Sequence, residues 1–173
     1  MAEKPDGGTP SERLRTVRDH IRFENAHDLP AVLATFGSSA RYDDEPWDEH
    51  HMGHDAVRSF YEDLLRALPD LQIDVKKEHA APDAVIVECV IRGTHGGTWR
   101  DLPATFRHVE FPLCGVYTFD DDGKLAGEKI YYDRATVLRQ CGVFREPTSA
   151  SGRILLFLNH PLNILSALLR KRR

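Results

Sequence analysis

Asp133 ends a segment in which apolar and polar residues alternate, and a helix-like pattern follows it directly. Alternation along a strand divides this segment into two faces, one with Lys129, Tyr131 and Asp133 and the other with Glu128, Ile130 and Tyr132. A carboxylate on the wall of an apolar cavity loses hydration, which raises its pKa and suits it to general acid/base chemistry. On the same face, Lys129 or Tyr131 is placed to stabilise an enolate. The alternative is that Asp133 caps the helix that starts at Arg134.

His95 ends an earlier alternating segment, whose inward side we expect to carry Cys89, Ile91 and Gly93. A histidine at the edge of a pocket exchanges protons near neutral pH, so His95 is a second catalytic candidate. The alternative is a rim histidine bonded to the adjacent glycine turn at 96–97. Cys89 is expected to be a small cavity or core residue, because no histidine partner lies beside it in the sequence.

The segment from Asp43 to His54 holds three histidines and five acidic residues. Histidine and carboxylate together suit zinc, iron or manganese, but the spacing fits no known ligand motif, and we predict no metal here. We interpret the segment as a polar loop at the mouth of a pocket, where Trp47 and His51 contact a flat substrate. A solvated loop without a function is the alternative.

Three helices precede the alternating segments. Thr9, Pro10 and Glu12 predict the start of the first helix through an N-cap, a proline in the first turn and a capping-box acid. A second helix is expected from Asp28 to Gly37, and a short strand over 38–44. The third helix carries the clearest apolar stripe, formed by Val57, Phe60, Tyr61, Leu64, Leu65 and Leu68.

Four strands then follow in a meander, and a short helix closes the domain near Gly142. This order predicts an α+β fold, a cone-shaped barrel of a curved antiparallel sheet packed against the N-terminal helices, with a helical C-terminal tail. Such a sheet encloses a cavity. We divide the chain into a disordered lead-in (1–10), the barrel domain (11–144), a linker (145–152) and a basic amphipathic tail helix (153–173).

Composition limits the classes of partner that the chain is expected to bind and the compartment in which it is expected to work. The net charge of −4 argues against nonspecific nucleic-acid binding, which needs a basic face. Three cysteines without CxxC spacing argue against a disulfide framework and indicate a cytoplasmic protein. The tail is apolar with four basic residues at its end, so it packs on its own domain or on a dimer mate, or it contacts a membrane surface or another partner. A homodimer through the open sheet face is expected.

Several motifs resemble, in the same order, those of the SnoaL-like polyketide cyclases. They are GHDAVRSFY at 53–61, LPDL at 68–71, RGTH at 92–95, DGKL at 122–125, and YYD at 131–133 followed by LRQ at 138–140. The resemblance extends from about Arg22 to Val143. It implies the cone-shaped α+β fold of nuclear transport factor two, no metal or organic cofactor, and ring closure of a polyketide by intramolecular aldol condensation.

The resemblance also implies that Asp133 points into the cavity as the acid/base, since the family has an aspartate on its last strand. Tyr42 and Tyr117 are assigned to substrate binding. This sequence departs from the residues that the family often has at three positions, Cys89, Lys129 and Phe106. These three side chains are expected to line or rim the cavity.

We therefore expect an enzyme, a polyketide cyclase-like lyase or isomerase, that acts on a small hydrophobic or aromatic carbonyl compound. A noncatalytic ligand-binding or interaction module on the same fold is the alternative. Addition of water to an epoxide is a third possibility, which requires two acids and an arginine around one water.

Overall fold

A computed structural model describes residues 8–161 of the chain. Within them the helices are α1 (Pro10–Asn25), α2 (Leu29–Thr35), α3 (His54–Ala67), α4 (Arg134–Gln140) and α5 (Ala150–Asn159). The strands are β1 (Arg41–Asp44), β2 (Glu49–Met52), β3 (Gln72–Ala80), β4 (Ala84–Thr94), β5 (His108–Phe119) and β6 (Leu125–Tyr132). One turn of 3-10 helix, Glu45–Trp47, connects β1 to β2.

The six strands form one sheet in the order β2-β1-β6-β5-β4-β3. Neighbouring strands are antiparallel, except that β1 lies parallel to β6. Bulges interrupt the pairing between Val75 and Lys77 and between Thr118 and Phe119, and bulges bend a sheet. The two outer strands do not pair, so the curved sheet stays open. The predicted α+β fold is confirmed, with one parallel pair that the expected antiparallel sheet did not include.

Local sequence explains where the helices start. Thr9 Oγ1 accepts a hydrogen bond from the Glu12 amide, and the Thr9 amide donates to Glu12 Oε2, which completes the predicted capping box of α1. Asp28 caps α2 through the Ala31 amide. At α3 the cap is Gly53, whose φ of +85° is easily adopted only by glycine.

Helices α1 to α4 pack against the sheet and contribute to one core with it. Val17 and Ile21 of α1, Val57 and Tyr61 of α3, and inward side chains of β4 and β5 belong to one buried cluster. The buried stripe of α1 also contains His20 and Glu24, which are polar. Polar side chains inside an apolar core need hydrogen-bond partners, so they mark a place to examine for function.

Two boundaries differ from those expected. The segment 43–54, predicted to be a polar loop, contains β2, which pairs with β1 and continues the sheet. Helix α5 begins inside the predicted linker, because Ser149 accepts a hydrogen bond from the Gly152 amide and caps it. The tail is described only as far as residue 161. Within this part, the apolar side chains of Ile154 and Leu158 in α5 are exposed. The disordered lead-in falls mainly on residues 1–7 and the end of the tail on 162–173, which lie outside the described residues.

Leu125 tests the packing of β6 against α2, because it is fully buried and bridges to Phe36. We expect Leu125→Ala to lower the free energy of unfolding by about 2–5 kcal/mol, since it leaves a cavity in a close-packed core. Met52→Ala is the matched control, because Met52 is 70% exposed. Its effect is expected to stay within about 0.5 kcal/mol. Equal urea unfolding curves for the two variants would contradict this packing.

Candidate active site

A cavity of about 60 Å³ lies between the helices and the sheet. On the scale where one water needs about 10–15 Å³, it is narrow but has room for several atoms. Most of its wall is apolar, with Phe60, Leu64, Ile91 and Phe111 among the lining residues. Five lining residues carry polar groups of functional interest: Glu24, Asp44, His95, Glu128 and Tyr132. A mostly apolar cavity with a few polar groups is the usual form of a small-molecule site.

Strand β6 faces the opposite way from the expectation. Glu128, Ile130 and Tyr132 line the cavity. Lys129 lies on the outer side, 3.0 Å from Glu45 Oε1, and Tyr131 is 46% exposed. The prediction that Lys129 and Tyr131 line the cavity is therefore wrong. Side chains alternate between the two faces of a strand, so placing one residue of β6 on the wrong face places all of its residues on the wrong face.

Asp133 lies outside the cavity and caps α4. Its Oδ1 accepts a hydrogen bond from the Ala135 amide at 2.9 Å, and Thr136 Oγ1 donates to Oδ2. These bonds lower the pKa of Asp133, with the Thr136 hydroxyl as the largest cause. An exposed carboxylate with a lowered pKa is poorly suited to remove a proton inside a cavity, so the acid/base interpretation of Asp133 is corrected in favour of the capping alternative.

The other predicted site residues separate into two groups. Tyr42, Cys89, His95 and Tyr117 line the cavity. Trp47, His51 and Phe106 are not among its lining residues. Trp47 Nε1 donates to the Tyr132 hydroxyl at 2.8 Å, and the His51 ring packs on Phe60 with the ring centres 4.9 Å apart. Phe106 is 77% exposed, which contradicts the expectation that it lines or rims the cavity.

Asp44, at the end of β1, is a cavity carboxylate with one oxygen held and one free. Its Oδ2 accepts from Arg100 Nη2 at 2.7 Å and from the Tyr132 hydroxyl at 3.2 Å. Its Oδ1 is buried and has no hydrogen-bond partner in the part of the chain that the structure describes. Burial raises the pKa of Asp44 more than Arg100 and Tyr132 lower it. A desolvated, oriented carboxylate of this kind suits proton transfer.

Arg100 is held in the loop between β4 and β5, where its own φ is +47°. Its guanidinium donates to both oxygens of Glu49, at 2.8 and 2.7 Å. The indole rings of Trp47 and Trp99 flank it, with their centres 4.6 and 4.5 Å from Cζ. Arg100 therefore joins the β4–β5 loop to β1 and β2 and fixes the orientation of Asp44.

Thr105 favours one tautomer of the His95 ring. Its amide donates to Nδ1 at 3.3 Å, and its hydroxyl, 3.0 Å from the same nitrogen, is able to donate there as well; with Nδ1 as the acceptor, the neutral ring carries its proton on Nε2. That Nε2 is buried without a hydrogen-bond partner among residues 8–161. Burial lowers the pKa of His95, which keeps the ring neutral. His95 thus offers the cavity an N–H donor, and its partner is Thr105 instead of the glycine turn.

A second polar cluster joins α1, α3 and β6. The Tyr61 hydroxyl lies 2.9 Å from Glu24 Oε1 and 3.0 Å from Glu128 Oε2, and His20 Nε2 lies 3.2 Å from Glu128 Oε2. Burial by itself lowers the pKa of His20, but Glu24 and Glu128 outweigh it and raise the pKa to about 10. For Glu128, burial and the nearby Glu24 raise the pKa more than His20 and Tyr61 lower it.

Sequence reasoning missed most of these polar groups. His20 and Glu24 follow Val17 at the spacing of the buried stripe of α1, so helical periodicity was the available signal. Glu128 was assigned to the outer side of β6. Asp44 lay within a loop rich in acids, and nothing in the sequence singled it out. Arg100 lies in an irregular loop, where no periodicity indicates the direction of a side chain.

The molecule is an α+β protein in which helices pack on an open, curved sheet over a mostly apolar cavity, the form that small-molecule sites usually take. The family model "SnoaL-like polyketide cyclase" matches residues 14–141, and the chain belongs to this family. The resemblance to this family that the sequence motifs indicated is therefore confirmed. No curated protein sequence matches the chain.

Solved structures agree on the fold. A "Putative SnoaL-like polyketide cyclase" of Jannaschia sp. CCS1 is 17% identical with a TM-score of 0.71, covering 84% of this chain and 99% of its own. IdmH of Streptomyces antibioticus, "a putative polyketide cyclase", is 21% identical with a TM-score of 0.64, covering 79% and 100%. A protein with a ketosteroid isomerase-like fold from Catenulispora acidiphila is 16% identical with a TM-score of 0.64, covering 75% and 93%.

None of the helices within residues 8–161 is both long and apolar enough to cross a bilayer.

Substitutions at Asp133 distinguish a helix cap from a cavity residue. Asparagine caps a helix as well as aspartate does, whereas alanine leaves the Ala135 amide without its acceptor. We expect Asp133→Ala to lower the urea midpoint of unfolding and Asp133→Asn to leave it nearly unchanged. Equal midpoints for the two variants would show that the cap contributes nothing.

His95 makes stability depend on pH. Its pKa is lowered in the folded state, so below the unfolded-state pKa of about 6.5 the unfolded chain binds more protons and folding becomes less favourable. We expect the stability advantage of the wild type over His95→Gln to shrink as the pH falls from 7.5 to 5.5. Urea unfolding of both proteins at several pH values measures this difference, and a difference that stays constant with pH would refute a neutral buried His95.

Proposed function

We propose that the chain is a polyketide cyclase-like enzyme that removes a proton next to a carbonyl group of a small hydrophobic or aromatic compound and closes a ring by aldol addition. The proposal rests on family membership and on one observation: Asp44 lines a mostly apolar cavity, and its Oδ1 is buried without a hydrogen-bond partner among residues 8–161.

Asp44 is the proposed acid/base in place of Asp133. As a base, its Oδ1 takes the proton from the carbon next to the carbonyl, and the electron pair of that C–H bond forms the enolate. The enolate carbon then attacks a second carbonyl of the same molecule, and the alkoxide recovers the proton from the Asp44 carboxyl group. The raised pKa of Asp44 supports the first step, because a more basic carboxylate removes a proton more readily than an ordinary one does, and the carboxyl group so formed returns that proton to the alkoxide.

His95 is the proposed stabiliser of the developing oxyanion. Its Nε2 is buried without a hydrogen-bond partner among the described residues, and the Thr105 amide favours the tautomer that places a proton on it. A preorganised donor costs no reorientation when negative charge forms, which makes such donors effective in a dry cavity. A neutral imidazole also donates without adding a buried charge beside Asp44.

Binding of the apolar part of the substrate is assigned to the cavity wall. Tyr42 and Tyr117, together with Cys89, keep their predicted role, since all three line the cavity. Trp47 is reassigned to orienting Tyr132, to which it donates. Tyr132 in turn donates to Asp44, so Trp47 acts on the proposed acid/base through one intervening hydroxyl.

Asp44→Asn tests the proposal against Asp43→Asn as the matched control. The two residues are adjacent on β1, but Asp43 is bound by Arg41 and His50 and is not part of the cavity. The assay follows exchange of the α-protons of an aryl 1,3-diketone into D₂O by NMR. We expect Asp44→Asn to slow the catalysed exchange by about 10²–10⁴-fold, the usual contribution of a positioned acid or base, and Asp43→Asn to retain most of it.

Two outcomes would overturn the assignment. Exchange that persists in Asp44→Asn while the variant keeps the wild-type circular dichroism would exclude Asp44 as the base. A diketone that binds to the wild type, seen as a rise in melting temperature, but exchanges no faster than in buffer would favour the noncatalytic ligand-binding module.

A further inference from the structure

We propose that His20, Glu24, Glu128 and Tyr61 form a closed binding site for a divalent first-row transition metal ion such as Zn²⁺. The inference concerns the polar cluster between α1, α3 and β6, and it does not depend on the reaction proposed for Asp44. It departs from the expectation of no metal, which was drawn from the histidine-rich segment 43–54 and from the family resemblance.

The first argument is the spacing of four atoms. His20 Nε2 lies 3.2 Å from Glu128 Oε2 and 3.6 Å from Glu24 Oε1. The Tyr61 oxygen lies 3.1 Å from His20 Nε2, 2.9 Å from Glu24 Oε1 and 3.0 Å from Glu128 Oε2. Tetrahedral zinc with bonds of about 2.0–2.1 Å separates its ligand atoms by about 3.3 Å. The five distances therefore match edges of a coordination tetrahedron.

The sixth edge, between the two carboxylates, is also within reach of one ion. The ligand atoms of His20, Glu24 and Glu128 all lie within 4.8 Å of one another. Hydrogen bonds hold these atoms together in the structure, and a bound metal ion would hold the same atoms together as its ligands. Replacing the shared protons by a cation thus needs only small movements of side chains.

The second argument is the orientation of the His20 ring. Thr35 Oγ1 donates its own proton to the Val32 carbonyl at 2.6 Å, so it accepts the bond from His20 Nδ1, 2.7 Å away. In the neutral ring, which is the form that binds a metal ion, the proton stays on Nδ1 and the lone pair of Nε2 is directed at the carboxylates. Metal-binding histidines are fixed in the same manner through their second nitrogen.

The third argument is charge. Glu24 and Glu128 are 6% and 4% exposed, and neither forms a salt bridge with lysine or arginine among residues 8–161. Two buried carboxylates need nearby positive charge. Protonated His20 provides one positive charge, whereas a divalent ion beside a neutral His20 balances both carboxylates. Glu24 Oε2 is in addition buried, and no group in the described part of the chain forms a hydrogen bond with it, which leaves an oxygen available to an ion.

Four protein ligands fill a tetrahedral site, as in structural zinc sites. The expected effect of the ion is therefore to join α1, α3 and β6 more tightly. Because the ion binds only the folded protein, saturating Zn²⁺ is expected to raise the melting temperature.

The test titrates chelator-treated full-length protein with Co²⁺ and follows visible absorption, because tetrahedral Co²⁺ absorbs far more strongly than hydrated Co²⁺. We expect one equivalent to bind with a tetrahedral spectrum and Zn²⁺ to displace it. Glu128→Gln is expected to abolish the spectrum and the Zn²⁺-dependent rise in melting temperature. His79→Gln is the control and should retain both, since His79 belongs to an exposed pair with Glu88.

Thr35→Val is a second variant for the case that Glu128→Gln does not fold. It leaves all four proposed ligands in place and removes only the Thr35 hydroxyl that accepts from His20 Nδ1. Loss of an outer partner of a metal-bound histidine costs about 10–100-fold in affinity, and we expect a weakening of that size. The proposal is wrong if the wild type shows no saturable tetrahedral Co²⁺ site. It is equally wrong if binding is undiminished in both Glu128→Gln and Thr35→Val, which would place the ion on surface histidines.

Discussion

The hydroxyl of Tyr61 fixes how the helices sit on the sheet. It lies on α3 and reaches Glu24 on α1 and Glu128 on β6, so one oxygen joins three elements that are distant in sequence. Apolar contacts among these elements tolerate small shifts, whereas buried carboxylates do not, because each lost hydrogen bond leaves a desolvated charge. The cavity is the space that this fixed arrangement leaves between the helices and the sheet.

A second polar group organises another part of the same cavity. Arg100 holds Asp44 and Glu49 and thereby closes the β4–β5 loop onto β1 and β2. Within residues 8–161, each group leaves one carboxylate oxygen without a hydrogen-bond partner, Glu24 Oε2 in the first and Asp44 Oδ1 in the second. The cavity therefore combines apolar walls with two separate anionic positions, and a bound molecule meets different chemistry at each.

The sequence predicted the elements well where periodicity was strong and predicted the site poorly. The stripe of α3 and the alternation of β4 were sufficient to place those elements, and His95 followed correctly from the facing of Cys89 and Ile91. In β6, both faces mix charged and apolar residues, so alternation could not say which face is inward. Glu128 has the character of a surface residue, and only its partners on two distant helices explain its burial. The pairing of Asp44 with Arg100 spans 56 positions and has no local signal.

The case of Asp133 shows why a motif at the end of a strand need not mark the chemistry. The turn from β6 into α4 leaves amides without partners, and an aspartate supplies the acceptor that the turn requires. Because the turn itself requires this acceptor, the resemblance at 131–140 supports the fold more strongly than the reaction. Asp44 holds Arg100 through its Oδ2, but its Oδ1 accepts no hydrogen bond from any turn or helix among residues 8–161. A buried carboxylate oxygen that the fold does not use is better evidence for function than a matching motif.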